Sequence, residues 1–152
     1  MIVKSPAALP VGEVEPTEVQ PEVESTLALV LFSGTDDRLS AATVLAAGAP
    51  AMGRPVHVFL QYWALDAFRQ DRITKDHGFA PEAGAAAAHA HGGEHWSETL
   101  RQVKEIGEVE IQACALSMEM FHLQKDDLDP LVDGVEGGAA FMAAANGAVV
   151  FI

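Results

Sequence analysis

The chain of 152 residues contains one cysteine, Cys114, so no disulfide can form within a single copy. Only nine residues are lysine or arginine, and they form no cluster, whereas 22 are aspartate or glutamate. Phosphate contacts need grouped cations, which argues against a nucleic-acid interface and against binding to an anionic membrane. The apolar runs are too short to cross a bilayer, and the start "MIVKSPAALP" does not resemble a secretory signal. We therefore expect a soluble, cytoplasmic protein.

The length fits one domain with a substantial core, preceded by a tail. Residues 1–25 hold four prolines and five glutamates and cannot bury enough apolar surface to offset the entropy of ordering. We expect this acidic tail to be flexible and the folded domain to cover residues 26–152. The net charge of −13 is interpreted mainly as an aid to solubility.

Within residues 26–152, short apolar runs alternate with helical patterns. The predicted strands are "TLALVLF", "PVHVFLQYW", "VEIQAC", a short segment near 132–136, and "AVVFI". Helices are predicted at 38–53, 64–70, 96–106, 115–121 and 137–147. Such alternation is typical of an α/β fold with a parallel sheet of about five strands and helices on both faces.

Residues 72–95 interrupt the alternation with an alanine- and histidine-rich segment, which predicts a mobile loop. His89, His91 and His95 form the pattern H-x-H-x-x-x-H, and imidazoles are good ligands for zinc, nickel or copper. The alternative, which we favour, is a flexible polar loop without a metal, since its alanines and glycines provide little preorganisation.

Cys114 is placed by the pattern where a strand ends and a helix begins. Parallel α/β sheets bind ligands beyond the carboxyl ends of their strands. Unpaired N–H groups at a helix start also favour the thiolate, which is the reactive form of cysteine. A reactive thiol is therefore expected, and a cysteine that merely packs in the core is the alternative.

Other residues are predicted to surround Cys114 because they lie at neighbouring strand ends or in its own segment. This predicted pocket consists of Ser33, Gly34, Trp63, Ser117, Met118, Gly137 and Gly138. Met120, by contrast, is expected in the core together with Leu116, and Ile106 is expected on the buried face of the helix that begins at Trp96. Glu119 and Glu136 are the carboxylates closest to Cys114 in sequence, and either one facing inward would disfavour a thiolate.

Three segments resemble the DsrE/DsrF-like sulfurtransferase family, in a branch also described as peroxiredoxin-like. These are "AAGAPAMGRPVHVFLQYWAL", "ACALSMEMFHLQKDDL" and "VDGVEGGAAFM", in the order of the family. The chain departs from the family pattern at Pro50 and Ala64 and in the alanine- and histidine-rich loop. The resemblance implies a three-layer α/β/α sandwich, an oligomer, and a role for Cys114 in carrying sulfur as a persulfide.

The function expected from these observations is a sulfur carrier or sulfurtransferase that needs no cofactor. Cys114 would hold sulfane sulfur as a persulfide and relay it between partner proteins, including other sulfur carriers. Because the chain has no second cysteine, a thioredoxin-like or two-cysteine peroxidase cycle is disfavoured. The alternatives are a non-enzymatic module that binds a small ligand or metal through Cys114 and the histidine-rich loop, and a purely structural subunit. We expect a homo-oligomer, with a trimer or hexamer favoured over a dimer.

Overall fold

Five parallel strands form the centre of the fold. A computed structural model of the chain describes residues 25–82 and 93–152. The strands are β1 (Leu27–Leu31), β2 (Val56–Leu60), β3 (Val109–Cys114), β4 (Gly134–Glu136) and β5 (Val149–Phe151). They are ordered β4-β3-β2-β1-β5, and every neighbouring pair is parallel. The predicted α/β class and the five-stranded parallel sheet are thus confirmed.

The strands are connected by helices and turns. The α-helices are α1 (Asp36–Ala51), α2 (Tyr62–Ala67), α3 (Trp96–Ile106), α4 (Ala115–Met120) and α5 (Gly138–Ala144), and a 3₁₀ turn covers Lys125–Asp127. α3 covers the residues that its periodicity predicts. α1 begins at Asp36 with Thr35 at its N-cap, so Asp36 and Asp37 belong to the first turn and do not precede it.

The larger core lies on the face of the sheet that packs against α1 and α3, here called the first face. Alternation along each strand sends Leu29, Val58 and Ile111 to this side. Leu39 of α1 and Leu100 of α3 join the same buried cluster. Burying each such side chain contributes about 1.5–3 kcal/mol, so this face dominates the stability of the domain.

The opposite face, called the second face, is covered far less. Its buried cluster consists of Ala28, Val30, Phe59, Cys114 and Phe141. Phe141 is the sole buried residue of α5, and among the described helices α5 alone adds a buried side chain to this cluster. Val149 and Phe151 pair in register with Ala28 and Val30 but remain exposed. The sandwich therefore has one thick and one thin helical layer.

Several core predictions are wrong. Ile106 was expected on the buried face of α3 but is 83% exposed, because it lies in the last turn, directly before the terminating Gly107. Leu116 and Met120 were expected in the core and are exposed, since the short α4 buries only Ser117 and Met118. β2 ends at Leu60, and Tyr62 already belongs to α2.

The predictions for the tail and the loop concern residues that lie largely outside the described part. These are residues 1–24 and 83–92, so flexibility of the tail stays a prediction. At the described start of the loop, the amide groups of His77 and Ala80 donate to the carboxylates of Asp36 and Asp37. None of the described helices combines the length and apolar character needed to cross a membrane.

Candidate functional site

Cys114 is the last residue of β3 and directly precedes α4. Its backbone is extended, with φ −68° and ψ 119°, and its side chain makes no capping hydrogen bond. The alternation Val109 buried, Glu110 exposed and Ile111 buried places Cys114 on the second face. The thiol is therefore at the carboxyl edge of the sheet, as predicted, but it is only 6% exposed.

The covering of Cys114 depends on α5 and on one aromatic side chain. The Phe141 ring stacks on Phe59 at a centroid distance of 4.8 Å and meets the His57 ring edge-on at 5.2 Å. The helix begins after Gly137 and Gly138, and a Cβ built on either glycine would meet nothing within 4 Å. The two glycines thus lie in open space at the start of the segment that covers the cysteine.

A carboxylate and an imidazole adjoin Cys114 on the second face. Glu136 of β4 is the register partner of Cys114. Its Oε1 atom lies 2.7 Å from Nε2 of His57, and both side chains are largely buried, at 17% and 10% exposure. The two atoms are in close contact but do not have hydrogen-bond geometry, and neither has a hydrogen-bond partner among the described residues. Sequence reasoning noted Glu136 but missed His57, whose signal is a single polar residue within the apolar run "PVHVFL".

Three of the predicted pocket residues come together in a different cleft, of about 380 Å³. It is lined by Ser33, Gly34, Thr35, Trp63, Asp66, Ala67, Arg72 and His77. Gly34 is required here, because an added Cβ would lie 2.3 Å from the carbonyl oxygen of Trp63. Cys114 is not among the residues that line this cleft.

Ser117 and Met118 are structural in this arrangement. Ser117 is fully buried, and its hydroxyl accepts a hydrogen bond of 3.0 Å from the amide of Tyr62. Tyr62 has a positive φ of 45°, which is strained for a residue with a large side chain, and this contact helps to hold it. Met118 packs in the core of the first face, whereas Met120, which is expected in the core, is 51% exposed.

The histidine pattern lies only partly within the described residues, so the expectation that it binds no metal stays a prediction. His89 and His91 lie outside them, and no group of three potential ligands with suitable geometry occurs in residues 25–82 and 93–152. His95 is the N-cap of α3, and its Nδ1 atom is 2.8 Å from the Ser97 hydroxyl. Its Nε2 atom is buried, 3.8 Å from Asp36 Oδ1, which also accepts a hydrogen bond from the Trp96 indole.

Similarity to known proteins agrees with this fold. An uncharacterised protein of Bacillus subtilis (strain 168), YrkE, is 29% identical over 144 residues, with 78% of this chain and 89% of YrkE covered. The solved structure of MTH1491, a protein of unknown function from Methanobacterium thermoautotrophicum, superposes with a TM-score of 0.56 at 15% identity. That match covers 84% of this chain and 99% of MTH1491 and concerns the fold alone.

A profile of the DsrE/DsrF/DrsH-like family matches residues 23–96. The matched segment includes β1, α1 and β2 and ends before Cys114, so it bears on the family and not on the thiol. Over this segment, just under half of its length, the chain is similar to the DsrE/DsrF/DrsH-like family.

Proposed function

We propose that the protein is a sulfur carrier in which Cys114 holds sulfane sulfur as a persulfide and passes it to a partner protein. Similarity to the DsrE/DsrF/DrsH-like family over residues 23–96 supports a role related to sulfur metabolism. The observation that carries the finer proposal is the position of the single cysteine at the β3–α4 junction, on the carboxyl edge of the sheet. Ligands of parallel α/β sheets bind at that edge.

The chemistry requires one thiolate and no cofactor. With thiosulfate as donor, the Cys114 thiolate attacks the outer sulfur, a new S–S bond forms, and sulfite leaves with the electron pair of the broken bond. An acceptor thiolate then attacks the outer sulfur of the persulfide, and Cys114 leaves as a thiolate. The N-terminal amides of α4 would stabilise the anion by about 0.3–1 kcal/mol, a modest contribution from a helix of six residues.

Burial of the thiol adds a requirement to this scheme. Because Cys114 is almost inaccessible in the single chain, both loading and discharge need a local opening of the second face. α5 is the element to open, since it buries one side chain and its helix has only seven residues. A partner protein that binds the second face and displaces α5 would couple sulfur release to recognition.

Mass spectrometry of the intact protein tests the proposal. After incubation with thiosulfate or inorganic polysulfide, we expect a gain of one sulfur atom on Cys114 that a reductant removes. Cys114→Ser should fold normally, since serine is close in size, and should take up no sulfur. Absence of a gain on the folded wild-type protein with either donor would refute the carrier function.

The alternative, a module that binds a metal or small ligand, is separated from the carrier by the histidines. Simultaneous alanine substitution of His89, His91 and His95 should leave sulfur loading unchanged if Cys114 acts alone. Loss of loading in this variant, with the fold intact, would favour a metal-dependent site that uses the histidine-rich loop.

We also propose that the protein forms a homo-oligomer, with a trimer or hexamer favoured over a dimer. Large apolar side chains remain exposed in the single chain, notably Met142 of α5 and Val149 and Phe151 of β5. Contiguous exposed apolar surface is typical of protein–protein contacts. A second copy that covers the thin layer would shield these residues.

A further inference from the structure

The order of the strands determines where the contact between His57 and Glu136 lies on the sheet. β3 lies between β2 and β4, so a contact from His57 of β2 to Glu136 of β4 has to pass across β3 on the second face. His57 is level with Glu110 of β3, and Glu136 is level with Cys114. The pair therefore crosses β3 over the stretch that ends in the cysteine.

Glu136 is the nearest strand neighbour of Cys114 on this face. Adjacent strands lie about 4.8 Å apart, so the two residues start from neighbouring backbone positions, and both side chains are shielded from water. A carboxylate close to a thiol disfavours the thiolate in general, and the effect grows as water is excluded. A reactive Cys114 therefore needs something that compensates the charge of Glu136.

His57 is the group in position to do this. The titratable side chains that β2, β3 and β4 place on this face are His57, Glu110, Cys114 and Glu136. Glu110 is exposed and accepts a hydrogen bond from Gln112. β1, β5 and α5 contribute no charged side chain to the face. Glu119 of α4 and the following His122 are exposed.

We propose that His57 and Glu136 are positioning residues that set the reactivity of the Cys114 thiol. Glu136 suppresses the thiolate, and the His57 imidazole offsets this suppression by binding the Glu136 carboxylate. The two residues therefore act in opposite directions on the same sulfur. This role rests on the proposed function, because it would serve sulfur transfer by Cys114. Its effect on the thiol can nevertheless be measured without any sulfur transfer.

The experiment compares rates of alkylation of the folded protein by iodoacetamide across a range of pH. Glu136→Gln removes the charge at nearly constant shape, so we expect alkylation about tenfold faster than in the wild type and a pH profile moved to lower pH. His57→Gln keeps a polar side chain but leaves the Glu136 charge uncompensated. Here we expect alkylation about tenfold slower and a profile moved to higher pH.

A matched control and a stability measurement exclude a purely structural effect. Glu119→Gln removes an exposed carboxylate near Cys114 in sequence and should change the rate less than twofold, since water screens its charge. Loss of packing alone would open the second face in both variants and accelerate both, without moving either pH profile. Thermal unfolding of each variant verifies that the folded state is the one alkylated.

The outcomes separate this proposal from the proposed function. Opposite shifts for Glu136→Gln and His57→Gln would support the positioning role even if the wild type took up no sulfur. Shifts in the same direction, or an unchanged pH profile in Glu136→Gln, would overturn it even if Cys114 carried a persulfide.

Discussion

Replacing Phe141 by leucine tests whether α5 controls access to Cys114. Phe141 is 2% exposed and supplies the sole buried side chain of its helix, stacked on Phe59. Leucine removes part of the ring while retaining an apolar side chain, so the fold should survive. The lost packing energy should mainly destabilise the closed position of α5, because no other residue of that helix is buried.

The magnitude follows from deletions in protein cores. Phenylalanine to alanine costs about 3–5 kcal/mol, and a single methyl group costs about 0.5–1.5 kcal/mol. The change from phenylalanine to leucine lies between them, at roughly 1–3 kcal/mol. Since about 1.4 kcal/mol corresponds to a factor of ten, the open state of α5 should become roughly 5- to 150-fold more populated.

The assay is the rate of Cys114 alkylation under native conditions, at protein concentrations where the chain is fully folded. Phe68→Leu is the matched control, because Phe68 is fully buried on the first face, where it contacts Trp96. Both variants should lose comparable global stability in urea unfolding. Only Phe141→Leu should alkylate faster, by the factor given above, since only α5 covers the second face in the described residues.

Two results would refute this reasoning. An unchanged alkylation rate in Phe141→Leu, despite a lower unfolding temperature, would show that Cys114 is reached by another path. Equal acceleration in Phe141→Leu and Phe68→Leu would show that modification proceeds through global unfolding. In the second case Cys114 would be a packing residue, and the carrier function would lose its physical basis.

Two further predictions concern stability and assembly. Burial lowers the pKa of His77; Asp36 opposes this effect, while Arg72 and His95 add to it. The folded state therefore binds this proton less readily than the unfolded chain, and stability should be complete above about pH 6.5 and fall below it. Urea unfolding at pH values above and below that point should show a smaller loss for His77→Gln than for the wild type, and an equal loss would contradict this prediction. Light scattering should show a trimer or hexamer both for the full chain and for the chain lacking residues 1–25 if the tail is dispensable, and a monomer at micromolar concentration would refute the oligomer.

Local patterns in the sequence predict much of the fold. The strand "VEIQAC" and the helix from Trp96 to Ile106 occur at the predicted residues, because alternation with period 2 and spacing of i, i+4 and i+7 are short-range properties. The same logic fails for α4, where six residues cannot define a buried stripe. As a result Met120 was assigned to the wrong environment.

The surroundings of Cys114 could not be predicted in the same way. The sequence places the thiol at a strand end, but the neighbours across the sheet depend on strand order and register. His57 and Glu136 are far apart in the chain, and their side chains meet across β3, which lies between their two strands. Ser33, Gly34 and Trp63 line a cleft whose lining does not include Cys114, so the pocket predicted around the thiol stays a prediction.

Two factors set the reactivity of the buried Cys114 sulfur: how often the second face opens, and the charge beside the thiol. The proposed variants distinguish these two factors. Phe141→Leu changes how often the second face opens. It should therefore increase the rate of Cys114 alkylation by the same factor at every pH. Glu136→Gln changes the charge beside the thiol and should act through the pH profile. Because Phe141 and His57 are in ring contact, the double variant Phe141→Leu with Glu136→Gln should show a combined effect different from the product of the two single effects. A strictly multiplicative effect would mean that α5 opens without disturbing the imidazole that holds Glu136.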